Sequence, residues 1–455
     1  MATAFSRPRR RLLILFSLSG FTLLTSPARA AGLDYTVIGT LPFAGIDPNN
    51  SNPYGLVLHP TLQLGYVTLA GLPDFAAPAL FNGRSVVEFD CNTLAVTRVF
   101  ETELYPVELA ISPDGADLYV INSTSASLSH IALASGVVTS VPLVDSLGVA
   151  VAYPSGVSLS ADGTQLYVTS NGSSFDGSAE NLLVLDRATL SLVDAVEIVG
   201  GLGRFAVRSD GRVVLPVGYP DDIFPSQPQL RVYDAVNGWQ LLANVELTVD
   251  ITDFPAPIDV VLSPDGSRAY VSVYGGSSEI FVFDVDNLLL LPSLMLPLVD
   301  FYQHGLGLGD DGATLFVTDF FAAQTRVISL TTGDVIVTIP SPGGPNSVRL
   351  GAGRAWITDQ AGVTLTAVRL PGSFVRGDFN GDTEIDLGDA IAILSYLFSA
   401  GPGSCLDAGD ANDNGALDVA DAVTLLNYLF AAGSAPLTPF PLAGADVSVD
   451  GLACP

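Results

Sequence analysis

One phrase recurs along this chain: an apolar stretch, then Ser-x-Asp-Gly or a relative of it, then a second apolar stretch that opens on Leu-Tyr-Val. The clearest copies occupy residues 109–115 before Leu118-Tyr119-Val120, 157–163 before Leu166-Tyr167-Val168, 260–266 before Ala269-Tyr270-Val271, and 308–312 before Leu315-Phe316-Val317. Degenerate copies surround Ser209-Asp210-Gly211, Gly351-Ala352-Gly353 and His59-Pro60, which makes seven. Alternating β-branched residues on either side of Asp-Gly predict a hairpin, since the glycine supplies the positive φ of a tight turn. Each copy continues into a third strand, as at 181–186 and 280–284, and then a weaker fourth. Four short antiparallel strands repeated roughly every 40 to 55 residues predict propeller blades, because no single blade can bury both of its faces.

The last copy stops after its third strand at 363–370, while residues 34–41 precede the first copy with nothing to pair with. Joining the two completes a seventh blade, closes the ring and hides an edge that would otherwise template aggregation. The strands carrying Tyr119-Val120, Tyr167-Val168-Thr169 and Tyr270-Val271 resemble the YVTN family of seven-bladed propellers. That resemblance, over roughly residues 32–370, implies an all-β seven-bladed propeller and is silent about activity.

Beyond Pro371-Gly372-Ser373 the pattern changes. Asp378-Phe379-Asn380-Gly381-Asp382-Thr383-Glu384-Ile385-Asp386 leads to Asp389, and 32 residues later Asp410-Ala411-Asn412-Asp413-Asn414-Gly415-Ala416-Leu417-Asp418 leads to Asp421. Counting the first Asp as position 1, both stretches place Asp or Asn at 1, 3, 5 and 9, and Asp at 12. This spacing wraps oxygen ligands around a hard cation, with position 7 offering its backbone carbonyl. The candidate ligands are Asp378, Asn380, Asp382, Glu384, Asp386 and Asp389 in the first loop, and Asp410, Asn412, Asn414, Ala416, Asp418 and Asp421 in the second, for two calcium ions. Apolar runs at 390–398 and 422–430, with Tyr396-Leu397-Phe398 matching Tyr428-Leu429-Phe430, predict two short α-helices packed as a pseudo-twofold pair.

This arrangement resembles the type I dockerin repeat from Gly377 to about Gly433. The resemblance implies calcium in the loops, and a role in plugging an exported protein, commonly an enzyme of polysaccharide catabolism, into a cohesin on a scaffold. Two features depart from the family. Loop positions 10 and 11, where cohesin-binding members carry Ser or Thr, are Leu387-Gly388 and Val419-Ala420, and the helices hold no basic residue. Docking to a cohesin-like or envelope protein and an intramolecular calcium-stapled module therefore both stay open. Loop 1 also has Thr383 at position 6, where glycine normally supplies the positive φ, so it should bind more weakly than loop 2.

At the other end, Arg7, Arg9, Arg10 and Arg11 precede an apolar run from Leu12 to Leu24 and then Ala28-Arg29-Ala30. That is the order of a cleavable signal peptide, with cleavage expected near Ala30. Arg10-Arg11 leaves a twin-arginine route open beside the general one. The domain plan is a signal peptide at 1–30, a propeller at 31–372, tandem calcium repeats at 373–433 and a tail at 434–455, in a protein secreted or held at the cell surface or in the periplasm. No later stretch is long and apolar enough to span a bilayer.

Charge narrows the partners. The formal charge is −29 and all 18 basic residues are arginine, so nucleic acid and anionic membrane, which need a positive patch, are poor partners, and no nucleic acid is expected. Without lysine there is neither Schiff-base chemistry nor a Walker lysine. Twelve acids and no arginine fall between Gly377 and Pro455. Three cysteines in an exported chain allow one disulfide, and Cys405 with Cys454 is the candidate pair, leaving Cys91 as a small buried hydrophobe.

The catalytic vocabulary is thin. No His-Glu-x-x-His, Gly-x-Ser-x-Gly or Walker loop occurs, and the three histidines are far apart in sequence. On the propeller face where inner strands begin and second strands end, Tyr105, Tyr153, Arg204, His304 and Asn346, with Asp319 and Asp359, are the candidate ligand-binding residues, suited to a glycan or another polar ligand. Two classes stay in play: a non-enzymatic binding scaffold, and a carbohydrate-active or lactone hydrolase. A pair of carboxylates across the channel would favour the hydrolase.

Overall fold

The computed structural model describes residues 35–47, 51–70, 83–171, 180–218, 226–250, 255–275, 279–295, 303–309, 312–403, 405–444, 446, 452 and 454. The export signal and Asp34 lie outside them. Seven antiparallel sheets form the blades, occupying residues 53–101, 106–142, 154–197, 201–246, 256–295, 303–340 and, for the seventh, 345–369 together with Val37–Pro42. The first strands of neighbouring blades touch one another around a central channel.

The Ser-x-Asp-Gly phrase is a turn with two supports. Glycine donates its N–H back to the serine carbonyl, at 2.9 Å from Gly115 to Ser112 and 2.7 Å from Gly266 to Ser263, with both glycines at φ +70°. The aspartate then ties the loop from inside, since Asp265 accepts from Ser263 Oγ at 2.5 Å and from the Ser267 N–H at 3.0 Å. Those hydrogen bonds to the charged form, Ser263 first, hold the Asp265 carboxyl down to about 2.

The threonine of Tyr-Val-Thr joins one blade to the next. Thr169 Oγ1 donates to the Gly203 carbonyl of blade 4 at 3.0 Å, and Thr358 Oγ1 to the Tyr54 carbonyl of blade 1 at 3.3 Å. Such bonds need the inner strands very close. A Cβ on Gly55 would lie 2.4 Å from the Val107 carbonyl of blade 2, and one on Gly305 would lie 2.8 Å from the Asn346 carbonyl of blade 7. Glycine at those positions is therefore a packing requirement.

The N-terminal strand closes the ring. Val37–Pro42 pairs antiparallel with Thr364–Arg369, in the register Thr40 to Thr366 and Leu41 to Leu365. It buries Leu41 and Phe43 in a cluster that spans blades 7 and 1, with Leu56, Val67, Phe89 and Trp356. Cys91 lies in the same cluster as a free thiol, and burial pushes it up to about 12.

After the ring come α1 (Leu387–Ser399), the one-turn α2 (Leu406–Gly409) and α3 (Val419–Phe430). The two long helices begin three residues earlier than their apolar runs, because Asp386 and Asp418 act as N-caps and close capping boxes with Asp389 and Asp421. Their shared core is built from pairs 32 residues apart: Phe379 with Ala411, Ala390 with Ala422, and Ile393 with Leu425. The C-terminal tail folds back, bonding Phe374 to Gly444 in both directions at 3.0 Å. Arg376, fully buried, fastens tail and loop 2 together. It donates to the carbonyls of Thr438 at 3.1 Å and Asp410 at 2.8 Å, and pairs with Asp413 at 2.9 Å and Asp446 at 2.8 Å. Cys405 and Cys454 are bonded, with Cα atoms 4.1 Å apart.

Because the sealing strand is buried on one face only, its apolar anchor should dominate its contribution. Leu41→Ala is expected to destabilise the ring by about 2–5 kcal/mol, measured as a lower urea midpoint with an unchanged slope. The same substitution at exposed Val37 should cost well under 1 kcal/mol.

Candidate functional site

Two regions collect chemistry: the top of the channel and the pair of acidic loops.

At the channel, each inner strand opens on a Pro-x-Gly phrase or its counterpart. The third residue of that phrase is Gly55, Gly156 and Gly305 in blades 1, 3 and 6, but Glu108 in blade 2, Asp259 in blade 5 and Ser347 in blade 7. Blade 4 differs again. Its inner strand is broken into Gly201–Leu202 and Ala206–Val207, each paired separately with Arg212–Gly218. Gly203-Arg204-Phe205 falls in the gap. The break delivers Arg204 to the channel, where its Nε donates to Glu108 and its Nη1 lies 3.4 Å from Asp259. Asp259 also accepts from the Leu306 N–H at 3.0 Å, and Arg349 comes within 3.7 Å of it and 4.0 Å of Glu108.

Four blades thus contribute to one ionic layer, and glycine at 156 lets the Gly203 carbonyl of blade 4, next to Arg204, come within 3.0 Å of where its Cβ would be. Burial works against the Arg204 charge, but Glu108, Asp259 and the Tyr54 hydroxyl outweigh it and raise its pKa. The Arg204 guanidinium lies over the Tyr54 ring, 5.8 Å from its centre. Burial, opposed by Arg204, raises the Tyr54 phenol. Arg204 lines a cavity of about 570 Å³ with Glu108, Asp259 and Arg349, and also a smaller one of about 180 Å³ with Tyr54, Ser155, Asn171 and Asn346.

Of the residues singled out in the sequence, Arg204 and Asn346 meet at this smaller cavity. Asn346 is fixed there, donating to the Tyr54 carbonyl at 3.3 Å and accepting from Thr358 Oγ1 at 2.9 Å. Tyr105 and Tyr153 occupy matching positions before their inner strands, both with positive φ, at +61° and +51°. Tyr105 packs against the core, and burial raises its phenol, whereas Tyr153 is exposed. His304 lies in the inner strand Gln303–Leu308, and its side chain lies outside the described residues. Asp319 and Asp359 are engaged inside their own blades. Asp319 pairs with Arg326 at 3.0 Å and accepts from Ala322, and Asp359 accepts from the N–H groups of Gly343 and Gly362. Sequence reasoning missed Glu108, Asp259, Arg349 and Tyr54. For the two acids the signal was there, as carboxylates standing where sister repeats have glycine.

The acidic loops wind alike. The position-1 carboxylate draws in the following backbone, Asp378 accepting from Gly381 at 2.9 Å and Thr383 at 3.1 Å, and Asp410 from Asn414 at 3.1 Å and Gly415 at 2.8 Å. The position-12 carboxylate accepts from position 9, at 3.0 Å in loop 1 and 2.8 Å in loop 2. Asp389, Asp410 and Asp421 are fully buried. Among the described residues no three His, Cys, Asp or Glu side chains form a metal cluster, and no arginine pairs with a candidate ligand. Burial first, then neighbouring carboxylates, raises Asp378, and burial raises Asp389 despite its hydrogen bonds. Burial first, with Asp410 and Asp418 adding to it, holds Asp421 up to about 6. Buried carboxylates satisfied only by N–H groups, among further oxygens and without a protein cation, fit a hard divalent ion.

Residues 376–430 match the dockerin type I domain, a domain that binds calcium and, in partner proteins, cohesins. No curated protein matches the chain. Among solved structures, the Kuenenia stuttgartiensis hydrazine synthase is similar with a TM-score of 0.59 and 17% identity, over 72% of this chain and 97% of that one. At that identity the likeness is one of fold.

Two predictions follow from the loops. A folded-state pKa near 6 for Asp421, against about 3.9 in an unfolded chain, means that the folded module holds the proton more tightly. In chelator its stability should therefore rise as pH falls from about 6 toward 4 and be lost as pH rises through about 6. Calcium, which must displace that proton, should bind more weakly below pH 6. Limited proteolysis after Arg376 across this range, with and without calcium, reads both trends. Separately, Thr383 holds φ +72° where Gly415 holds +78°. Thr383→Gly should relieve about 1 kcal/mol of strain and tighten calcium at loop 1, as calorimetric titration would record.

Proposed function

We propose that this is an exported adaptor: a calcium-dependent dockerin-type module attaches the propeller to a cohesin-like or envelope partner, and the propeller channel binds a polar ligand. The observation that carries the docking half is a duplicated apolar stripe. On the faces of α1 and α3 turned from their shared core, Leu387 and Val419, Ile391 and Val423, and Phe398 and Phe430 stand 48 and 44%, 57 and 47%, and 71 and 70% exposed. Each pair is related by the same 32-residue shift as the core pairs. Exposed aromatic and aliphatic side chains repeated in register on a small module support recognition by a protein partner. The apolar stripe takes over from the Ser/Thr pairs of cohesin-binding relatives at loop positions 10 and 11. The arginine-led apolar run at the N-terminus supports export, and the two loops support two calcium ions.

The second reading, a hydrolase of polysaccharide breakdown, draws on the Glu108 and Asp259 carboxylates. Both are committed to Arg204, with Arg349 also close to each and Asp259 further engaged by the Leu306 N–H. Neither is left over as a general acid, which favours binding over catalysis.

Calorimetry should count two calcium ions per chain, falling to one in the Asp410→Ala, Asp421→Ala variant. A panel of purified cohesin domains should retain the protein in calcium and release it in chelator. Phe398→Asp with Phe430→Asp should abolish retention while leaving calcium uptake intact. A protein that takes up calcium but binds no partner, or binds it equally after both substitutions, would reduce the module to an intramolecular staple.

A further inference from the structure

Three observations single out the 180 Å³ cavity that Arg204 lines. The first is the broken strand: among the described residues only blade 4 interrupts its inner strand, and the gap delivers Arg204 to the cavity lining. A local irregularity that re-aims one side chain is a recurrent device next to binding sites. The second is the ionic layer. Desolvating two arginines and two carboxylates is costly, and well-packed apolar residues would serve stability as well or better. Here the layer holds Arg204 through Nε and Nη1, and among the described residues Nη2 takes no part in those two bonds. The third is the wall. Gly201, Gly203 and Gly218 line one side, and the Asn171 amide oxygen stands 3.1 Å from where a Gly201 Cβ would be. Backbone and small residues there leave a space that ordinary strand side chains would fill.

We infer that this cavity is a binding site for one neutral, hydroxyl-rich ring, such as a single sugar unit. The inference rests on the reading of the propeller as a ligand-binding scaffold and supplies its site and ligand class. The chemistry follows from charge and from donor and acceptor count. Arg204 and Arg349 balance Glu108 and Asp259, so the layer is formally neutral. A carboxylate ligand would add an uncompensated charge in a desolvated place, on a chain already at −29. The groups around the space are mixed: the guanidinium and the Asn171 amide nitrogen donate, the Asn171 oxygen accepts, and the Tyr54 hydroxyl does both. Hydroxyls, which both donate and accept, satisfy such a mixture without leaving either kind unpaired. The Tyr54 ring adds an apolar side to the cavity, as the carbon face of a sugar requires.

The full calcium-loaded chain should be titrated with glucose, galactose, mannose, xylose and myo-inositol, and in parallel with acetate and glutamate, by saturation-transfer NMR and calorimetry. At least one neutral ring should bind saturably and the acids should not. Gly218→Ala puts a methyl on the cavity wall at ordinary contact, since the nearest atom to its Cβ is Pro257 Cδ at 3.5 Å, Gly218→Val extends it further into the space, and Asn171→Ala removes a polar group from the lining. Each should weaken binding at least tenfold with an unchanged melting temperature. Saturable binding by the acids alone would overturn the ligand class. Neutral-ring binding that these variants leave intact would overturn this site and keep the propeller as a scaffold. Silence across the whole panel, with calcium uptake and docking preserved, would remove the binding role of the channel itself.

Discussion

The ring depends on how closely neighbouring inner strands can approach. Seven twisted sheets meet around an axis only if backbone passes next to backbone there, and the chain meets this demand with glycine at Gly55, Gly156 and Gly305 and with threonine hydroxyls that cross to the next blade. The hydroxyl satisfies a backbone group that the meeting of two sheets would otherwise bury unpaired. Outward from this contact the blades pack as apolar clusters of two adjacent sheets, such as the one shared by blades 7 and 1. The sealing strand completes that packing by removing the last free edge.

The same crowded axis explains the channel chemistry. In blades 2 and 5 the repeat departs from glycine by placing a carboxylate, and at that depth a charge must be paired. Glu108 and Asp259 find Arg204 because blade 4 gives up strand pairing over three residues to send it inward. Arg204 borders both a larger cavity, which it shares with Glu108, Asp259 and Arg349, and a smaller one, which it shares with Tyr54, Asn171 and Asn346.

The C-terminal module buries charge by the opposite route. Its carboxylates accept from N–H groups of their own loops, and burial raises Asp378, Asp389 and Asp421, a setting in which a bound divalent cation would supply folding free energy. Among the described residues Arg376 is the arginine held in this region, and it donates to the Asp407 and Asp410 carbonyls and pairs with Asp413 and the tail's Asp446, leaving the candidate carboxylates to N–H groups. The module is thereby bound to its own tail, while the apolar stripes of α1 and α3 remain exposed.

Periodicity sufficed to read the seven blades, the turn glycines, the sealing strand and the tandem loops, because each is set by residues close in sequence: a turn needs Asp-Gly, a calcium loop needs oxygens at fixed spacing. The start of α1 and α3 was missed by three residues, since Asp386 and Asp418 serve both the loop and the cap. The channel layer belongs wholly to tertiary structure. Glu108, Arg204, Asp259 and Arg349 lie in four different blades, and nothing local marks them as neighbours. Their pairing exists only because ring closure brings the inner strands of these blades to one axis, which also decided that Asp319 and Asp359 would be held within their blades while Arg204 and Asn346 came together.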